Sequence, residues 1–201
     1  MKAHFLTLII LVFLGLSTAN CQEKVWTQSD RQKLIDNFKR TQAEINQETS
    51  KLSEKEWSFK ESSDKWSIAE VVEHLNMWQL VTLENVRYAI YLGENPSRAK
   101  ACASDSVNTS FIYEENPHKS PDFTIPTGLI ADVNNLKIFN IKCNEIIEGI
   151  EKNDANFRNI IREGKTGQNR DLAQMYIIQY GHVDRHLRQI RRIKSSNNFP
   201  K

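Results

Sequence analysis

Apolar positions recur every three to four residues in four long stretches of this chain, the spacing that lines one face of an α-helix. The first predicted helix runs from about residue 29 to 52, with Leu34, Ile35, Phe38, Ile45 and Leu52 as a sparse stripe and Ser29 or Asp30 as its N-cap. The second begins after Trp66. Ser67 with Glu70 three residues on reads as a capping box, in which the serine oxygen takes an orphan amide and the glutamate reaches back to the cap. Its stripe continues through Val71, Leu75, Trp78, Leu83 and Val86 to about Leu92, where Gly93 and Pro96 stop it.

The third is expected over about 127–152, through Leu129, Val133, Leu136, Phe139, Ile146 and Ile150. The fourth covers about 170–195, through Leu172, Met175, Ile178 and Ile193, and its last turn carries Arg191, Arg192 and Lys194, which suit the negative end of a helix dipole. Four such helices predict an all-α four-helix bundle over residues 27–195, with a polar tail over 196–201. The connection between the second and third helices, residues 93–126, is long for a compact domain. Ser110–Tyr113 and Asp122–Ile125 read there as short extended pieces. The connection is expected to fold over one end of the bundle, either as a plain crossover or as a roof over a site.

Composition agrees with helices, since the chain holds only 7 Gly and 5 Pro. Residues 1–20 read as an export signal: Lys2, an apolar run from Phe5 to Leu16, then Ser17, Thr18 and Ala19. The run is too short to span a bilayer comfortably, and no other stretch approaches about 18 apolar residues. Thr18-Ala19-Asn20-Cys21 resembles a lipoprotein cleavage box, which would place a lipid anchor on Cys21. Ordinary signal-peptidase cleavage near Ala19 fits as well. The expected location is the periplasm, the cell envelope or the medium.

Lys2 is the only charged residue of the leader, so 26 basic face 25 acidic residues beyond it. That balance gives no case for nucleic acid or a polybasic membrane surface. Of the three cysteines, Cys102 and Cys143 could pair in an oxidising compartment or remain two separate thiols.

Candidate chemistry lies in the histidines. His182 and His186 stand four apart, and so point to one side of the fourth helix, the side of Met175, Ile178, Gln179 and Gln189. His74 shares the inward face of the second helix with Glu70, Val71, Trp78 and Val81. A single histidine on such a face is ordinarily a satisfied core residue. Three converging from two helices need hydrogen-bond partners or a divalent metal, for which neutral imidazole is a suitable ligand.

Trp66-Ser67-x-x-Glu70-x-x-x-His74-Leu75, followed near the end of the chain by His182-x-x-x-His186-x-x-Gln189-Ile190, resembles the DinB-like (DinB/YfiT) superfamily over residues 29–194. The resemblance implies a four-helix bundle holding Zn or Ni through His74, His182 and His186, with water completing the shell. It also implies a metal-dependent hydrolase of unknown small-molecule substrate, or a thiol transferase, or a non-catalytic metal- or ligand-binding bundle, and a homodimer is common among relatives. Export weakens the transferase, because the envelope maintains no reduced thiol pool.

Of the groups that could assist, Glu70 is expected mainly to cap its helix. Glu73 and Asp184 are expected to be solvated, and His118 to be an exposed loop residue or a fourth ligand. Trp66 is expected in the core, and Trp78 lining a pocket.

Overall fold

Three of the four long helices open on a reciprocal capping box. The computed structural model describes residues 25–114, 119–130, 132–164 and 168–200; the leader, Cys21 and His118 lie outside them. Helix α1 is Gln28–Thr49, capped by Thr27 with Asp30. A short α2, Glu54–Ser58, precedes α3, Ile68–Leu92, which is capped by Ser67 with Glu70 as expected. Within the connection sit α4, Pro96–Ala99, and α5, Asp105–Thr109. Helix α6 is Asp132–Glu151, and α7, Leu172–Lys194, is capped by Asp171 with Gln174.

Side-chain partners give the direction of each helix. Arg31 binds the carbonyl of Ile150 while Asn46 meets Asn140, so α1 and α6 are antiparallel. Arg40 pairs with Asp184 and Glu48 with Lys194, so α1 and α7 are parallel. Thr82 meets Gln179 while His74 meets His182, and Asn76 meets Asn135 while Arg87 meets Glu145. Thus α3 runs antiparallel to α7 and parallel to α6. The bundle is up-down-down-up, with α1 packed on α6 and α7, and α3 packed on the same two.

This topology explains the long connection. Joining parallel neighbours α3 and α6 requires the chain to return along a helix of 25 residues, about 37 Å. The connection therefore runs beside the α3–α7 pair, touching α7 through α5 and Ser110–Tyr113 and touching α3 through Asp122–Thr124. Among its described residues it lies along this pair rather than over one end of the bundle. Ser110–Tyr113 and Asp122–Thr124 are 3-10 turns rather than extended pieces, since each closes local i to i+3 bonds with no strand to pair against.

Other boundaries also move. The N-cap of α1 is Thr27 and not Ser29 or Asp30, because Asp30 serves as the reciprocal member of the box. Helix α6 starts at Asp132 rather than near Thr127, and Leu129 and Val133 are exposed. Arg170 precedes α7 in a two-residue strand paired with Ile161–Arg162. Phe199, in the polar tail, packs edge-on against Phe59 at 5.4 Å.

Two apolar clusters stack along the bundle. One gathers Phe38, Leu83, Val86, Ile146, Phe157 and Tyr176. The other gathers Ile45, Ile68, Leu75, Phe139, Leu187 and Ile190. Between them lies a buried polar layer of Thr41, Gln79, Thr82 and Gln179. Gln79 Nε2 donates to Cys143 Sγ at 2.9 Å. Cys143 is a free, buried thiol, so the pairing with Cys102 is not formed. Among the described residues no helix is long and apolar enough to cross a membrane.

Candidate metal centre

His74 lies two turns into α3, while His182 and His186 lie one turn apart on α7. Because the two helices are antiparallel neighbours, the three rings meet. His182 Nε2 is 3.0 Å from His186 Nε2 and 3.4 Å from His74 Nε2. One ligand atom from each ring lies within 4.8 Å of the others, in a group that could hold a metal ion.

The outer ring nitrogens decide which lone pairs face inward. His74 Nδ1 donates to the Thr124 carbonyl at 2.7 Å, which leaves its Nε2 a bare acceptor. His186 Nδ1 donates to Gln189 Oε1 at 2.8 Å, with the same consequence. A hydrogen on His182 Nε2 can satisfy only one of these two acceptors. His182 Nδ1 is buried and has no hydrogen-bond partner among the described residues. The cluster is thus short of positive charge at its centre. Two of its spacings bracket the edge of about 3.3 Å expected of nitrogens set tetrahedrally around zinc, and the donor set fits a divalent ion.

Electrostatics keep the three rings neutral. Burial lowers the pKa of all three. For His182 the neighbouring imidazoles add to it and push the value well below the ordinary one. His186 falls to about 3, by burial and then by the His74 charge, against a smaller opposing effect of Gln189. His74 falls by burial, partly countered by its bond to Thr124. Neutral imidazole is the form that ligates, so protons do not compete for these nitrogens near neutrality.

Trp66 just before α3 and Trp78 on it, together with the crossover, build the remaining wall. Trp66 lies 4.8 Å from the His74 ring, and Trp78 lies 5.4 Å from the His182 ring and 6.3 Å from Phe123. Trp78 lines the pocket as expected. Trp66 does so too, while also packing against the cluster that holds Ile45, Ile68 and Leu75. The cleft in front of the rings measures about 890 Å³, with Lys119, Arg185, Arg188 and Arg192 on its rim. Glu70 is held by its cap bond to Ser67 at 2.8 Å and by Lys60 at 2.7 Å, which confirms the capping role.

Glu73 is a correction. It is only 3% exposed, and its carboxylate accepts from Thr127 N, Thr127 Oγ1 and Gly128 N at 2.9, 2.6 and 2.9 Å. Gly128 adopts φ +70°, which favours glycine. This clamp fixes the crossover three residues beyond the carbonyl that holds His74. Asp184 is likewise not simply solvated, since it pairs bidentately with Arg40 at 2.8 Å. Thr124 and Glu73 were beyond reach of periodicity, because both act through a segment that has none.

No curated protein and no solved structure gives a match to the chain. A family model described as the DinB superfamily matches residues 37–190. That span takes in most of α1, all of α3 and α6, and α7 through Ile190, with the Ser67–Glu70 box and all three converging histidines. By this match, and by the helical bundle that carries it, the chain belongs to the DinB superfamily.

Proposed function

We propose that this chain is an exported metalloprotein in which His74, His182 and His186 bind one divalent ion, Zn or Ni, and that it acts as a metal-dependent hydrolase. The observation that carries the metal is the inward convergence of three Nε2 atoms while two of the outer nitrogens are tied down. Membership of a superfamily that is often metal-binding supports it. Export rests on residues 1–20, and hydrolysis needs only water and substrate, which the envelope supplies.

A bound ion would supply Lewis acidity at the floor of the cleft. The chain's own residues hold the His74 and His186 rings in one tautomer, exclude water with Trp66 and Trp78, and leave one side open to solvent. A second reading, a non-catalytic binding bundle, draws on one observation. The carboxylates near the ligands in sequence, Glu70, Glu73 and Asp184, are engaged by Ser67 and Lys60, by Thr127 and Gly128, and by Arg40, which leaves none of the three free as a general base.

Elemental analysis of the purified protein after reconstitution tests the metal. Wild type should hold close to one equivalent of Zn or Ni, and a His74→Ala/His186→Ala variant should hold none. Equal content in the two would overturn the site. A substrate panel then separates the readings, since a hydrolase loses turnover in His182→Ala while a binding bundle shows none in wild type.

A further inference from the structure

Arginines at positions 185, 188 and 192 recur every three to four residues on α7 and form a stripe beside the stripe of His182, His186 and Gln189. All three line the histidine cleft together with Lys65 and Lys119. Some of this charge is answered locally. Arg192 pairs with Glu61 at 2.6 Å, and Lys65 lies 3.8 Å from Asp64. Arg188 and Lys119 have no carboxylate partner among the described residues. Arg188 Nη2 donates to the Ile112 carbonyl at 2.6 Å, which helps seat the crossover but leaves the positive charge unneutralised.

The same cleft is lined by two aromatic side chains, Trp66 just before α3 and Trp78 on it, both against the His74 ring. The cleft therefore offers both cationic and aromatic side chains, and its volume of about 890 Å³ suits a small organic molecule. A guanidinium with donors to spare matches the oxygens of a carboxylate or phosphate, and the net positive rim draws such a group inward.

We propose that the cleft takes an organic anion, a carboxylate or phosphate ester whose charged head is held by Arg188 and Lys119 and whose apolar body lies against Trp66 and Trp78. The proposal rests on the three-histidine reading for the ion beside that head, and on the rim charges for the head itself.

The test titrates benzoate, phenyl phosphate and the neutral analogue benzamide into the full mature chain, following tryptophan emission in the metal-free and cobalt-loaded forms. Both anions should bind saturably, at least tenfold tighter than benzamide. An Arg188→Gln/Lys119→Gln variant, which keeps a donor for Ile112, should lose about tenfold in anion affinity with its benzamide affinity and cobalt spectrum unchanged. The stronger of the two anions identifies the head group. Equal binding of benzamide, no response to either anion, or an unaltered affinity in the double variant would each overturn the proposal. Failure to take up cobalt would sink the metal reading alone, because the metal-free arm still reports anion binding.

Discussion

Glu73 precedes His74 in the chain, yet it faces a different partner. Its carboxylate gathers three donors from Thr127 and Gly128, so the crossover cannot slide along α3, and the Thr124 carbonyl stays on His74 Nδ1. Outer partners of this kind orient a ligating ring. Glu73→Gln should therefore keep its helices by circular dichroism while losing about 10–100-fold in zinc affinity, measured by competition with a chromophoric chelator; an unchanged affinity would make the clamp merely structural. The histidines themselves set a pH dependence for the metal-free protein. His186 titrates near 3 when folded and near its ordinary value of 6.5 when unfolded, so the unfolded chain binds the extra proton between these limits. Stability is then fully present above about pH 6.5 and declines as pH falls toward 3, by about 1.4 kcal/mol per pH unit for this group. Urea midpoints of metal-free wild type should drop between pH 7 and pH 5, and His186→Gln should show a shallower drop. The three converging histidines were legible in the sequence because helical spacing alone sets them on inward faces. The clamp was not, since a glutamate beside two valines looks like any solvated residue until the segment that covers it is placed.

At the scale of elements, the crossover is seated on α7 by a close approach at Gly181. A Cβ at that position would lie 2.2 Å from Ile112 Cδ1 and 3.1 Å from both Cγ atoms, and Ile112 is 3% exposed. Gly181 in a helix interior is unfavourable by about 1 kcal/mol relative to Ala, and the space that it leaves for Ile112 is the compensation. Gly181→Ala should destabilise the protein by about 1–3 kcal/mol through overpacking, despite its better helix propensity. Chemical denaturation of Gly181→Ala and of Gly181→Ala/Ile112→Val checks this, with the second variant recovering part of the loss; a stabilised single variant would contradict the seating. The four long helices were readable from apolar periodicity and from the Ser67–Glu70 box. The course of the crossover was not, because it follows from helix direction. Direction is set by contacts such as Arg40 with Asp184, distant in sequence.

Over the whole molecule, the clefted α3–α7 pair is bridged at the centre by imidazoles and clasped from outside by the crossover. An ion that binds only the folded chain raises its stability by mass action, about 4 kcal/mol at a free concentration a thousand times the dissociation constant. Zinc should therefore raise the melting temperature of wild type by about 8–16 °C and leave the His74→Ala/His186→Ala variant unmoved, as differential scanning calorimetry with and without a chelator would read. The up-down-down-up order has a further consequence for the course of folding. His74 and His182 are separated by 108 positions in the chain and become neighbours only after the last helix has docked against the first three. Closing so long a loop is slow compared with forming any one helix. Before α7 has docked, a chain offers only His74 of the three rings, with neither partner imidazole beside it. The three nitrogens gather with the final contact, so an ion held by all three would mark a chain that has finished folding.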